Sequence, residues 1–292
     1  MTFNVLQLPV VSAGPAGIRR AGLAAELIGD LSPDVVVLNE AFGLSAAGRI
    51  VSRLTRLGYH TTPPVGGLSG RAGWDSRAEP DSLVRRLVGG GVRVLSRHRI
   101  LRQHQHVYRA YRRRTQDAWS AKGVALVELD VPGCRDAPGS PVWLAATHLQ
   151  ADEPPTAVRA THDVRLRQLA EVREVVSAVV PPDRAVLLAG DLNVEYYQSD
   201  VDGAPGPDPV AAAAAVGGRL TPDGPMHAPT FDGTGNPLVT PPGYRNVLDY
   251  VGYLDESGRR PVPRITTATI PFASGRAASD HYPVLAEVTW PA

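Results

Sequence analysis

Cysteine is nearly absent from this sequence. Cys134 is the only one in 292 residues, which excludes an intrachain disulfide and any multi-cysteine metal site. Charge of one sign is missing as well: 30 basic and 29 acidic residues leave a formal net charge of +1. No global field therefore exists to gather nucleic acid or an anionic membrane, and partner identity must come from local sites. No apolar run approaches the roughly 20 residues of a membrane span. The opening Met1-Thr2-Phe3-Asn4 lacks the charged and apolar regions of a secretion signal. Because the chain opens in a strand-like segment, a secreted protein that starts at its mature domain is expected. No linker or internal repeat divides the chain, so a single domain over residues 1–292 is the simplest organisation.

What is present is ordinary in amount, with 43% hydrophobic residues, and informative in order. Leu187-Leu188-Ala189 runs into Gly190-Asp191-Leu192-Asn193, the pattern of a buried strand that ends abruptly on polar residues. Asp191 and Asn193, at i and i+2, share a face and can reach one small ligand; an Asx-turn is the plainer reading. Further strands are predicted over residues 3–8, 35–38, 92–95, 124–129, 142–150, 246–253 and 285–289, and amphipathic helices over 19–31, 45–57 and 158–179. Residues 61–80 read as a long surface loop, and 200–218 as a loop with a short helix. The basic run 102–114 reads as solvated surface. Helices alternate with strands through the first two-thirds, so the class is mixed α/β with substantial sheet.

Six strand edges carry polar residues: Asn4, Glu40, His148, Asp191 with Asn193, Asp249, and Asp280 with His281. Singly, each has a dull reading. The histidines can be satisfied core groups, Asp249 a turn cap, and Glu40 a helix-start acid. Together they fit a site at one rim of a sheet assembly, suited to metal-assisted hydrolysis of a phosphodiester. Mg²⁺ held by Glu40 and amide or water oxygens would neutralise phosphate charge. His281 is the candidate base, with Asp249 fixing its tautomer and stabilising the imidazolium. His148, Asn193 and Asn4 would contact phosphoryl oxygens or assist the leaving group.

These motifs resemble the endonuclease/exonuclease/phosphatase superfamily, and within it the bacterial neutral sphingomyelinases. Gly190-Asp191-Leu192-Asn193, Leu248-Asp249-Tyr250 and Ser279-Asp280-His281 are similar to blocks shared by the superfamily. The narrower resemblance lies in Leu38-Asn39-Glu40-Ala41-Phe42, Gly73-Trp74-Asp75, Ser120-Ala121-Lys122-Gly123, Thr147-His148-Leu149-Gln150-Ala151, Thr230-Phe231-Asp232 and Asp280-His281-Tyr282-Pro283-Val284. The resemblance implies a four-layer α/β sandwich, two packed mixed sheets flanked by helices. It also implies phospholipase-C-type cleavage of sphingomyelin to ceramide and phosphocholine, or of a close lipid such as ceramide phosphoethanolamine.

The site expected on these grounds has His281, His148, Asp191, Asn193 and Asp249 as catalytic residues. Asn193, Trp74 and Lys122 are the expected substrate contacts, and Glu40, Asn4, Asp191 and Asp280 the metal ligands. Mg²⁺ is the expected cation, with Mn²⁺ or Co²⁺ as substitutes. A monomer acting at a membrane or micelle surface is expected, with no nucleic-acid partner. Relatives that insert into membranes carry an aromatic hairpin ahead of the Ser-Asp-His block; here residues 259–278 are short, with Phe272 the sole aromatic. A metal-dependent nuclease on the same scaffold is the alternative, favoured by Arg112-Arg113-Arg114 and disfavoured by the charge balance. A non-catalytic lipid-binding module has no need of a base beside a metal.

Overall fold

The computed structural model describes residues 1–8, 14–42, 44–68, 73–78, 82–132, 140–153, 158–197, 206–255 and 258–290. In chain order the first half is β1 (Thr2–Gln7), α1 (Pro15–Leu31), β2 (Val35–Ala41), α2 (Leu44–Arg56), β3 (His60–Thr61), β4 (Ser76–Ala78), α3 (Leu83–Val88), β5 (Arg93–Ser96), β6 (Arg99–Val107) and β7 (Gly123–Asp130). A 3-10 turn, Gln116–Trp119, separates the last two strands. The second half is β8 (Val142–His148), α4 (Val158–Val179), β9 (Val186–Asp191), α5 (Asp208–Val216), β10 (Gly218–Arg219), β11 (Phe231–Asp232), β12 (Arg245–Asn246), β13 (Asp249–Leu254), β14 (Arg264–Thr269) and β15 (Val284–Thr289).

Two mixed sheets face each other, of strand order β14-β15-β1-β2-β5-β3 and β10-β13-β9-β8-β7-β6-β4. Between them lies an apolar layer of Val37 and Val94 from the first sheet, Val92 just ahead of β5, and Ala125, Val127, Leu144, Ala146 and Ala189 from the second sheet. Strands buried on both faces have no need to alternate, which is why β2, β8 and β9 read as continuous apolar runs. Helices α1 and α2 cover the outer face of the first sheet, with Ala24, Ile28, Ile50 and Leu54 turned onto Phe3, Val36 and Leu38. Helix α4 covers the second sheet through Leu169, Val172 and Val176, and α5 adds Ala212 and Val216. The expected four-layer sandwich is the observed architecture.

Helix boundaries follow local chemistry. Pro15 occupies the first turn of α1, where its missing N–H is no loss. At the other end Ser32 turns left-handed, donating its N–H to the Ile28 carbonyl, before Pro33 prevents continuation.

Three expectations need correction. The run 102–114 is not all surface, because its first half belongs to β6, a nine-residue strand paired along β7. Its buried positions include His104 on one face and Gln105 on the other, polar residues that mask the alternation. Residues 259–278 contain a strand, β14, whose Thr-rich sequence pairs β15 at the sheet edge. The stretch 246–253 is broken after Asn246, so that Asp249 begins β13 instead of lying inside a strand. Cys134 and part of the 61–80 and 200–218 loops lie outside the described residues.

Candidate active site

Register assembles the site. In the second sheet His148 pairs Asp191 across β8 and β9, and Asp191 pairs Asp249 across β9 and β13. A histidine and two acids therefore lie side by side in one row at the sheet's rim. In the first sheet Asn4 pairs Asn39 across β1 and β2, and Glu40 follows one residue on. The sheets are joined here by polar contacts: Asn4 Nδ2 donates to Asp191 Oδ2 at 2.9 Å, and Asn39 Nδ2 donates to the Thr147 carbonyl at 2.8 Å. Asn39 Oδ1 also accepts the Asp191 N–H at 3.2 Å, so one buried amide pins both strands that carry His148 and Asp191.

The backbone is strained where the side chains converge. Glu40 and Asn193 have φ of 52° and 49°, values that cost a residue with a side chain, a glutamate more than an asparagine. Gly190, with φ 153°, is required: a Cβ there would stand 1.8 Å from the Thr147 carbonyl oxygen of its strand partner. The Asx-turn reading of Asp191 is half realised. Oδ1 accepts the Asn193 N–H at 3.0 Å, while Oδ2 faces the site, 3.5 Å from His148 Nε2 and 3.9 Å from His281 Nε2.

His281 Nδ1 lies 2.8 Å from Asp249 Oδ2, and its ring packs on Phe231 at a centroid distance of 4.9 Å. Burial disfavours the imidazolium, but Asp249, Asp191 and Asp280 outweigh it and raise the His281 pKa well above the ordinary histidine value. His148 has the opposite bias. Burial first, then the charges of Lys122 and His281, push its pKa well below normal. The geometry agrees, because the Lys122 ammonium, 3.1 Å away, can only donate, so Nε2 of His148 accepts and the ring is neutral. Lys122 itself is buried, donating also to Asp117 Oδ2 at 2.8 Å and the Leu149 carbonyl at 2.7 Å.

Glu40 is the unsatisfied member. Burial and the neighbouring Asp280 raise its pKa to about 7, against the opposing pull of His281, Lys122 and the Asn4 amide. Its Oε2 is sealed from solvent with no hydrogen-bond partner. A buried carboxylate oxygen without a donor, among further acids, fits a hard divalent cation. Asp191, Asp249 and His281 also bring ligand atoms within 4.8 Å of one another. Since His281 spends Nδ1 on Asp249, that trio reads better as a histidine–acid dyad beside a third carboxylate than as a metal cage.

The structure gathers Asn4, His148, Asp191, Asp249 and His281 by direct contact, Lys122 through His148, and Asn193 through Asp191. Asp280 is adjacent to His281 and held by Ser279 Oγ at 3.1 Å. Trp74 is the exception and a correction. It is 8% exposed within the layer between the sheets, beside edge strand β4, four strands from β9 in the sheet order. Its indole fills core and offers no face to a headgroup. Asn39, next to Glu40 in the sequence, has a role that the strand-edge pattern does not show. A buried amide amid apolar residues was the signal available. Replacing Asn39 with Leu is expected to leave the Thr147 carbonyl and the Asp191 N–H short of a partner and to lower stability by about 2–3 kcal/mol in urea titration; an unchanged midpoint would contradict this role.

The fold and site together define a two-sheet α/β sandwich with an acid–histidine cluster at one rim. The chain belongs to the endonuclease/exonuclease/phosphatase family, whose sequence profile matches residues 1–281. Among its relatives is sphingomyelinase C of Listeria ivanovii, 32% identical over 180 residues, or 61% of this chain and 50% of that protein. The chain thus spans about half the length of the curated relatives it matches at this level. Sphingomyelinase C from Streptomyces griseocarneus superposes with a TM-score of 0.79 at 27% identity, covering 98% of this chain and 97% of that one. A β-toxin variant from Staphylococcus aureus, solved with bound magnesium ions, shares the fold with a TM-score of 0.79 at 23% identity, covering 98% and 97%.

Proposed function

We propose that this protein is a secreted, divalent-metal-dependent phosphodiesterase of the phospholipase C type. Its substrate is sphingomyelin or a close sphingophospholipid such as ceramide phosphoethanolamine. The observation that carries the reading is the His281–Asp249 pair turned toward Asp191, on a chain similar to sphingomyelinases C. Glu40, with Asn4, Asp191 and Asp280, would hold the cation, which would withdraw charge from the phosphoryl group; magnesium in the related β-toxin supports Mg²⁺.

The chain's own groups divide the remaining work. His281 Nε2, neutral in the reactive state, takes a proton from the attacking water as the new P–O bond forms. Asp249 holds Nδ1–H and stabilises the resulting imidazolium. Lys122 bears the protons on the side of His148, where a proton must reach the departing ceramide oxygen as the old P–O bond breaks. Asn193, whose Nδ2 already donates to the Leu149 carbonyl at 3.1 Å, keeps one amide hydrogen for a phosphoryl oxygen.

Phosphorus NMR of sphingomyelin in mixed micelles tests the assignment. A phosphocholine signal that requires Mg²⁺ and disappears with excess chelator is expected. Absence of any product signal from sphingomyelin or ceramide phosphoethanolamine would overturn it.

Metal binding has a separate readout. Without metal, the folded protein holds the Glu40 proton up to about pH 7, whereas the unfolded chain releases it near 4.5. The folded state then binds more protons than the unfolded one in this window, so stability falls as pH rises through it, by up to about 3 kcal/mol from this group. A cation must displace that proton at low pH but not above 7. The rise in Tm on adding Mg²⁺ should therefore be larger at pH 7.5 than at pH 5; equal shifts would remove Glu40 from the metal site.

A further inference from the structure

Helix α3 is folded inside out. Leu83 and Leu87 are each 66% exposed and Val84 is exposed too, while Arg85 between them is 4% exposed. Soluble helices turn their apolar stripe to the core, so the inversion calls for a reason. The buried arginine supplies a mechanical one. Arg85 Nε donates to the Ser120 carbonyl at 2.9 Å, NH2 reaches the Tyr108 carbonyl at 3.3 Å, and the guanidinium stacks over the Tyr111 ring at 4.3 Å. The Ala121 N–H adds a bond to the Gly89 carbonyl at 2.8 Å. Helix α3 is thereby fastened to the 3-10 turn 116–119, whose last residue, Trp119, is 64% exposed.

We infer that α3 and this turn form a docking surface for a phospholipid bilayer that contains anionic lipid. The inference rests on the proposed lipid substrate for its purpose, though not for its geometry. Leu83, Val84, Leu87 and the Trp119 indole stand exposed on two elements fastened to each other, a composition that suits the boundary between headgroups and acyl chains. Arg112, Arg113 and Arg114 are exposed in the segment leading into the turn, which gives the charge complementarity toward lipid phosphates. The turn is tied to the site by a short chain of contacts: Asp117 holds Lys122, which contacts His148. The segment ahead of the Ser-Asp-His block is an unsuitable anchor, because Phe272 folds back between Phe3 and Tyr282 at 6.1 and 5.1 Å.

The test is co-sedimentation of the full chain with vesicles of phosphatidylcholine and phosphatidylglycerol, in chelator so that no turnover intervenes. The double variant L83S/L87S should lower the partition coefficient at least about tenfold. Wild-type partitioning should also weaken as salt is raised. Brominated acyl chains should quench the wild-type fluorescence, and W119F should abolish most of that quenching. L83S/L87S should retain the wild-type rate on short-chain sphingomyelin kept below its micelle concentration, which separates docking from chemistry. Wild-type partitioning by the double variant, or no quenching, overturns the proposal. So does a concentration-dependent dimer lost in L83S/L87S without vesicle binding, which would make the patch a contact between copies. If the wild type docks through the patch yet cleaves no sphingophospholipid, the substrate assignment fails and the docking surface stands.

Discussion

Replacing Glu40 with Gln should abolish cation-dependent hydrolysis and leave the protein folded. The side chain keeps its shape but loses the charge, and the charge is what a hard cation needs. The fold should not suffer, because the carboxylate is out of place in the metal-free protein: Oε2 has no partner, and burial with Asp280 raises the pKa to about 7. At pH 8 the variant should be as stable as the metal-free wild type or more so, by up to about 2 kcal/mol, since the cost of ionising a buried acid is removed. The Mg²⁺-induced rise in Tm should shrink with the activity. Turnover and thermal shift both near wild type would exclude Glu40 from the metal site. Loss of turnover with an intact shift would move the metal elsewhere and leave Glu40 another task.

The His281–Asp249 pair carries the second large effect. His281→Ala should lower kcat by at least the roughly 10²-fold typical of a lost general base. It should also destabilise the fold, because Asp249 is fully buried and loses the charge that offsets its desolvation. Asp249→Asn keeps the shape and removes the orienting acid together with the largest of the charges that raise the His281 pKa, leaving Asp191 and Asp280 in place. Groups that act as one unit are not additive, so the double variant should be little slower than His281→Ala alone. Steady-state rates of the two single variants and the double variant test this. Additive losses would mean that the histidine and the acid work separately, and a near-normal rate and pH profile in His281→Ala would remove it as the base. In the metal-free protein the pair also stabilises the fold. With the folded pKa raised, that contribution is present below the unfolded histidine value and is lost as pH climbs through the folded one.

The candidate residues were legible in the sequence for one reason. Most stand at one end of an apolar run, as with Asp191 after Leu188-Ala189-Gly190, His148 after Ala145-Ala146-Thr147, and His281 just ahead of β15. Strands buried on both faces give strong signals, and a polar residue at their end stands out against them. Edge strands gave weak signals. In β6, His104 and Gln105 are buried on opposite faces of the strand, and half of β14 is threonine, so neither shows a clean apolar alternation. Trp74 misled because an aromatic residue in a polar, turn-rich loop looks like a ligand contact, while the fold had a gap between sheets to fill.

By itself, then, the sequence determined which residue types end which strands, the α/β class and the family blocks. These are local or periodic properties. Only the tertiary structure decided that His148, Asp191 and Asp249 share one row, that Asn39 joins two sheets, that Glu40 Oε2 is left without a donor, and that Arg85 turns in so that Leu83 and Leu87 turn out. Such facts depend on strand register and on contacts between residues distant in the chain, 35 positions for Arg85 and Ser120 and 187 for Asn4 and Asp191, where spacing along the chain carries no information about distance.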